Sequence, residues 1–299
     1  MKNSGIIVNI QPSAMKGQIN VKKFLKAAAL AGGALCLLKG LDNRLEVTHY
    51  NISSEKIPSD FNNFKILQVS DFHADNVPGL VTEIKNEMPD IIVSTGDLAD
   101  DKGSFLPSVR LCEHLVDIAP VYAVTGNHDL WRGDYEEFER ITTNIGVKTL
   151  RSERVTLNRG SSEIVLYGID DPFSRKSVRA SANIKTAISK LERCDSYEIL
   201  LFHRANLFDY IKNYAFDLVI AGHMHGGQVR LPTGQGLVSP RSSWVGQSSI
   251  MFPKYVGGHY HAPHSDMIVS RGIGNPMLIP RLFNRPELTV ITLHSEDIK

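Results

Sequence analysis

Five apolar runs in this chain each finish in side chains that can bind a divalent ion or move a proton. ILQVSDFHAD closes on Asp71 and His73, IIVSTGDLAD on Asp97, VYAVTGNHD on Asn127 and His128, EILLFH on His203, and LVIAGHMH on His223 and His225. Imidazole, carboxylate and amide oxygen together suit ions such as Mn, Fe or Zn, and no thiolate set of the kind that holds structural zinc accompanies them. Taken singly, an Asp or Asn after a strand is a turn former, and a lone His is an ordinary core or surface residue. The joint pattern is stronger. A second pair, His259 and His261 in GGHYHAPH, repeats the spacing of His223 and His225. Residues two apart on an extended backbone face the same way, so either pair could grip an ion.

The elements that must position these residues read as an α/β domain from Leu45 onward. Strands are expected at 45–53, 64–70, 90–97, 121–126, 163–170, 197–203, 216–223, 227–232, 266–272 and 287–294. Helices are expected at 81–88, 105–118, 134–146, 178–192 and 206–213. The segment DYEEFERITTNIG has acidic residues in its first turn and Gly146 at its end, both helix-boundary signals. In open α/β sheets ligands bind outside the carboxyl ends of the strands, which is where the five polar endings fall. Gly96, Gly126 and Gly222 precede ligand positions, where a missing Cβ permits close approach of backbone to a site.

Composition excludes more than it assigns. With 42% apolar and 22% charged residues and a net charge of +1, the chain has the make-up of a folded domain and no basic footprint for nucleic acid. Cys36, Cys112 and Cys194 are scattered, so no disulfide framework is expected, and Cys112 reads as a small buried helix residue. Residues 1–44 differ from the rest: Lys22, Lys23 and Lys26 precede the apolar run 27–38. Twelve apolar residues are short for a membrane span and suit a signal-peptide core, an uncleaved anchor or an amphipathic surface helix. The run also looks like a degraded twin-arginine export signal, with Val21 and Lys22 where two arginines are expected; Met15 is an alternative start. The expected organisation is an N-terminal signal-like or membrane-anchor segment, 1–44, followed by one domain, 45–299. The protein is expected to be monomeric and membrane-associated or exported to the cell envelope, with a cytoplasmic location as the alternative.

In order, D-x-H, G-D, G-N-H-[DE], a lone H and G-H-x-H resemble the calcineurin-like metallophosphoesterase superfamily over residues 45–299. GHMHGGQVRLP and the closing VSRGIGNP and IPRLFNRPELTVITL are similar to its bacterial membrane-associated or exported phosphodiesterase branch. The resemblance implies two mixed β-sheets flanked by helices. It implies two divalent ions (Mn, Zn or Fe, with Mn favoured), one held by Asp71, His73 and His225 and the other by Asn127, His203 and His223, with Asp97 bridging. It further implies that a metal-bridging hydroxide attacks the phosphoester and that Asn127 and His128 face the substrate. His128 would assist as acid or charge stabiliser, a role suited to an imidazole. Asp100 stands where relatives carry an Asp that orients this His, whereas Asp101 replaces an arginine often found next. The GHMH pair follows the buried run FDLVI; GHYH follows a proline and two glycines, reads as a loop near the pocket mouth, and lies outside the ordered motif set, so the ions fall to His223 and His225.

Arg230, Arg271 and Arg281 are candidate phosphate or headgroup contacts, and Trp131 and Trp244 candidate pocket walls. The expected activity is a phosphodiesterase or pyrophosphatase acting near the membrane, on a phospholipid or lipid-linked phosphate, with nucleotide or cell-wall phosphodiesters as alternative substrates. The alternative is a non-catalytic metal-binding scaffold of the same fold. A metalloprotease lacks its H-E-x-x-H here, and a P-loop NTPase its G-x-x-x-x-G-K-[ST].

Overall fold

Successive apolar residues along the central strands go to opposite sides, and both sides are buried. Ile66, Ile91, Val93, Ile199, Leu201 and Ile220 share one core layer, while Leu67 and Ile92 pack into a second and Leu200, Val219 and Ala221 into a third. Double-sided burial is why these strands read as unbroken apolar runs instead of alternating ones.

The computed structural model describes residues 38–173, 180–238, 251–275 and 279–296, with Lys26, Leu30, Gly32, Gly33 and Cys36 among those before them. Within these residues the strands, in chain order, are β1 (Glu46–Ser54), β2 (Phe64–Val69), β3 (Ile91–Ser94), β4 (Val121–Ala123), β5 (Lys148–Thr149) and β6 (Glu153–Arg159). They continue as β7 (Ser162–Gly168), β8 (Tyr197–Arg204), β9 (Leu218–Gly222), β10 (Gly258–Ala262), β11 (Ser265–Val269) and β12 (Glu287–Ser295). One six-stranded sheet has the order β1-β12-β2-β3-β4-β5 and the other β10-β11-β9-β8-β7-β6. Both are mixed: β12 runs antiparallel to β2, and β6 and β10 run antiparallel to their neighbours.

The layer containing Ile66 and Ile199 lies between the sheets. Outside the first sheet pack α1 (Leu80–Glu87), α2 (Leu106–Val116) and α4 (Tyr135–Ile145), through Ile84, Leu115 and Phe138. Cys112 is buried in that layer, as expected. The short α3 (Asn127–Trp131) precedes α4. Outside the second sheet pack α5 (Ala180–Ile188) and α6 (Phe208–Ile211), through Ile184, Ile188 and Ile211. The result is the expected sandwich of two mixed sheets flanked by helices.

Two expectations fail locally. Residues 227–232 form only single bridges, Val229 with Leu282 and Arg230 with Gly236. Gly226, Gly227 and Gln228 all have positive φ, which breaks the extended backbone before a strand can form. Conversely, GHYH is no loop: Gly258–Ala262 is β10, paired antiparallel with β11. The glycines that suggested a loop lie at its entrance, Gly258 at φ 110°. The edge strand β6 escaped the sequence reading because ERVTLNR buries only Leu157.

The backbone divides into two compact units, Met1–Lys39 and Gly40–Lys299. In the first, the described residues are helical, and Leu30 and Leu38 are exposed. Among the described residues no helix is long and apolar enough to cross a membrane. Most of the apolar run 27–38, the basic residues Lys22 and Lys23, and Met15 lie outside the described residues.

Candidate metal centre

Strands β2, β3 and β4 run parallel, so the endings that carry Asp71, Asp97 and Asn127 emerge side by side. Strands β8 and β9 run parallel in the other sheet and bring out His203 and His223. Gln68 of β2 fastens the sheets together just below this rim, its Nε2 donating to Thr95 Oγ1 and across to the Ala221 carbonyl, each at 2.8 Å. Next to His203, β8 gains a residue on β9: Leu201 faces Ile220 and Arg204 faces Gly222. Such a bulge re-aims the side chains around it.

Two buried ligand groups result. In one, His225 Nε2 lies 3.4 Å from Asp71 Oδ1 and 3.4 Å from His73 Nε2. In the other, His203 Nε2 lies 3.3 Å from Asp97 Oδ2 and 3.1 Å from His223 Nδ1. The same Asp97 Oδ2 is 3.7 Å from His73 Nε2, so one carboxylate oxygen reaches imidazoles of both groups. Asn127 borders the second group through Arg204, whose Nη1 contacts His223 Nε2 at 3.0 Å while its Nη2 donates to Asn127 Oδ1 at 3.2 Å.

This donor set fits a pair of divalent ions. Burial, helped by nearby cations, holds the His223 and His225 pKa values well below the usual imidazole range, which leaves these rings neutral with lone pairs to give. Burial also lowers the His203 pKa, but the Asp97 carboxylate outweighs it and pushes His203 up to about 10. A proton on His203 thus supplies the positive charge that an ion would otherwise bring to Asp97. For His223 to offer Nδ1, Nε2 must carry its proton, so Arg204 has to yield that contact; it keeps Asp171, bonded at 2.6 Å.

The backbone is strained where the ligands are. Asp71, His73, Asp97, His223 and His225 have φ between 46° and 74°, in the left-handed region. Each such non-glycine residue costs on the order of 1–3 kcal/mol and persists only where its surroundings over-determine it. The turns are laced together by hydrogen bonds from Asp71 N to Gly96 O and from His73 N to Asp97 O, both 3.0 Å.

His128 stands beside the groups with 23% of its side chain exposed. Its Nδ1 lies 2.9 Å from Asp100 Oδ1 and 3.3 Å from Asp101 Oδ1, and its backbone N–H donates to Asp97 Oδ1 at 2.8 Å. Burial lowers its pKa, yet Asp100, Asp97 and Asp101 together push it up to about 9. The ring packs edge-on against His73 and within 5.2 Å of Trp131. The fold therefore brings Asp71, His73, Asp97, Asn127, His203, His223, His225, His128 and Asp100 into one place.

The family model of the calcineurin-like phosphoesterases matches residues 64–227, the stretch that carries all of these side chains. The chain belongs to this family. It is 30% identical to the uncharacterized metallophosphoesterase YkoQ of Bacillus subtilis (strain 168), over 75% of this chain and 81% of that protein. It is 28% identical to YkuE of the same organism, also an uncharacterized metallophosphoesterase, over 92% of this chain and 97% of that protein. To the phosphodiesterase YaeI of Escherichia coli (strain K12) it is 24% identical, over 77% of this chain and 82% of that protein. A metallophosphoesterase is a metal-dependent phosphoester hydrolase whose family cofactor is a dinuclear divalent centre, and the two ligand groups are this chain's candidates for it.

Three features of this metallophosphoesterase site were not foreseen. Asp129, the last residue of GNHD, is buried and accepts backbone N–H groups from Asp97 at 2.7 Å, Gly126 at 2.9 Å and Ala99 at 3.0 Å, which ties the β3 and β4 endings together. Its place in the motif was legible; its inward direction was not, because an acidic residue in a first helical turn more often caps that helix from outside. Arg204 is buried with Asp171 and lies 4.5 Å over the Phe173 ring; a charge closing the apolar run of β8 was the available signal. Asp101 joins Asp100 on His128, with Oδ1 3.3 Å from Nδ1; its contact with the ring, not its identity, was the new feature.

The candidate phosphate-binding arginines bond to groups of the chain itself. Arg230 donates to the Gly234 carbonyl at 2.7 Å, and Arg271 pairs with Glu46 at 2.7 Å and Glu287 at 3.1 Å. Arg281 is buried against the carbonyls of Arg271, Gly272 and Gly274, with Nη2 3.4 Å from His225 Nδ1. Their charges are spent on backbone and carboxylate groups of the chain itself. Trp244 lies outside the described residues.

Proposed function

We propose that this metallophosphoesterase hydrolyses phosphodiesters or pyrophosphates at a membrane surface, with a phospholipid or lipid-linked phosphate as substrate. The observation that carries the catalytic part is the position of Asp97 Oδ2, 3.3 Å from His203 and 3.7 Å from His73. On that reading Asp71, His73 and His225 would hold one ion, Asn127, His203 and His223 would hold the other, and Asp97 would serve both. Mn is favoured over Zn or Fe because carboxylate and amide oxygens accompany the imidazoles. When bound, two divalent ions lower the pKa of water and neutralise charge on the phosphoryl oxygens.

The remaining work falls to the chain's own residues. Asp100 and Asp101 hold His128 through Nδ1 and, against burial, favour its protonated form, which leaves Nε2 for the substrate. The proton on Nε2 then stabilises a phosphoryl oxygen or passes to the departing alkoxide. Asn127 and His128 start α3 at the β4 ending, Asn127 against Arg204 and His128 against Asp100 and Asp101. The membrane part of the reading rests on the basic-then-apolar stretch 21–39, with residues 1–44 as its anchor and 45–299 as a monomeric catalytic domain.

The test is an assay of the full chain in detergent, loaded with Mn, Zn or Fe, on a model phosphodiester and a model phosphomonoester. Diester hydrolysis that requires metal and disappears in Asp97→Asn supports the proposal. Protein that carries two ions and hydrolyses neither ester contradicts it and points to a scaffold.

A further inference from the structure

We infer that His259, His261 and Asp266 form a third metal site, separate from the dinuclear centre, that takes a divalent transition ion of the zinc class. Strand β10 presents His259 and His261 on one face, and its register with β11 sets His261 directly opposite Asp266. The donor atoms already converge. His259 Nε2 lies 3.1 Å from Asp266 Oδ2 and His261 Nδ1 3.0 Å from Asp266 Oδ1, and the two rings are 3.9 Å apart between centroids. Donors at about 2.0–2.1 Å around a tetrahedral zinc stand roughly 3.3 Å from one another, so little movement separates these side chains from a coordination sphere.

Two observations favour an ion over an ordinary ion pair. His259 Nε2 is shielded from solvent and has no hydrogen bond despite its nearness to Asp266, because the carboxylate lies off the N–H direction. A cation bonding both atoms would satisfy that nitrogen. His261, by contrast, has 71% of its side chain exposed, which leaves a path for the ion and room for water ligands. Two imidazoles and one carboxylate form a set that selects Zn, Ni or Cu over Mg or Ca. Such an ion would clip β10 to β11 at the edge of the second sheet.

The site cannot be an annex of the dinuclear centre. Strand β11 runs parallel to β9 and sets Asp266 beside Leu218, the first residue of β9, whereas His223 follows its last. Five residues at about 3.3 Å each put roughly 16 Å between the two levels.

The experiment is zinc content after equilibrium dialysis of the full chain against buffered zinc, for wild type, His261→Ala and Asp266→Asn. Neither residue belongs to the catalytic machinery, so phosphoesterase activity and the circular dichroism spectrum serve as controls for folding. The expected result is one zinc equivalent fewer in each variant, with activity and spectrum unchanged. Because the count is a difference, it holds whatever number of ions the dinuclear centre retains, and the two readings fail separately. Equal zinc content in wild type and His261→Ala overturns the inference.

Discussion

At His203 and Asp97 a proton and a metal ion compete for the same position. Burial opposes the imidazolium, but the carboxylate 3.3 Å away keeps it protonated up to about pH 10, so an ion entering the second group must displace that proton. The sign follows: below pH 10, apparent affinity rises with pH, by about tenfold per unit for one proton released. Manganese competition binding between pH 6 and 8 is expected to tighten by about two orders of magnitude, and a flat profile would count against protonated His203. His128 behaves differently because it touches ligands without belonging to either group. His128→Ala is expected to keep near-wild-type metal while activity falls about 10²-fold or more, and loss of the metal would make it a ligand after all. Residue types made the ligands legible, since carboxylates and imidazoles closing apolar runs have few other uses in such number. The directions of Asp129 and the three arginines were not legible, because an inward charge and an outward one have the same letter.

At the scale of elements, the site depends on strands that end abruptly. Left-handed residues at Asp71, Asp97 and His223 swing the side chains inward, and neighbouring glycines leave space for them. A Cβ on Gly222 would fall on Ser70 Oγ and 2.5 Å from Asp71 Oδ2. Gly222→Ala is therefore expected to lower ion content and to cost about 1–3 kcal/mol in urea denaturation of the metal-free protein; wild-type ion content and stability would show the rim to be more pliant than drawn. The strands themselves could be read from the sequence because double-sided burial gives long apolar runs. GHYH could not, since pairing with β11, and not its own composition, makes it a strand. GQVRLP failed in the opposite direction: its alternation suggests a strand, but positive φ at Gly226, Gly227 and Gln228 bends the chain away.

For the whole molecule, two sheets and their helices gather residues from Asp71 to His225 onto one rim, and that long-range assembly is what the ordered motifs encode. The N-terminal stretch adds a second level of organisation. If residues 1–44 anchor the protein, the full chain is expected in the membrane fraction and a chain lacking them in the soluble fraction; equal partitioning of both would remove the membrane from the account. The two-ion centre is tested by anomalous scattering at the manganese edge from crystals of the manganese-loaded protein. Two peaks about 3.5–4 Å apart are expected, one against Asp71, His73 and His225, the other against Asn127, His203 and His223, with Asp97 touching both. A single peak, or two with Asp97 bound to only one, would contradict that arrangement.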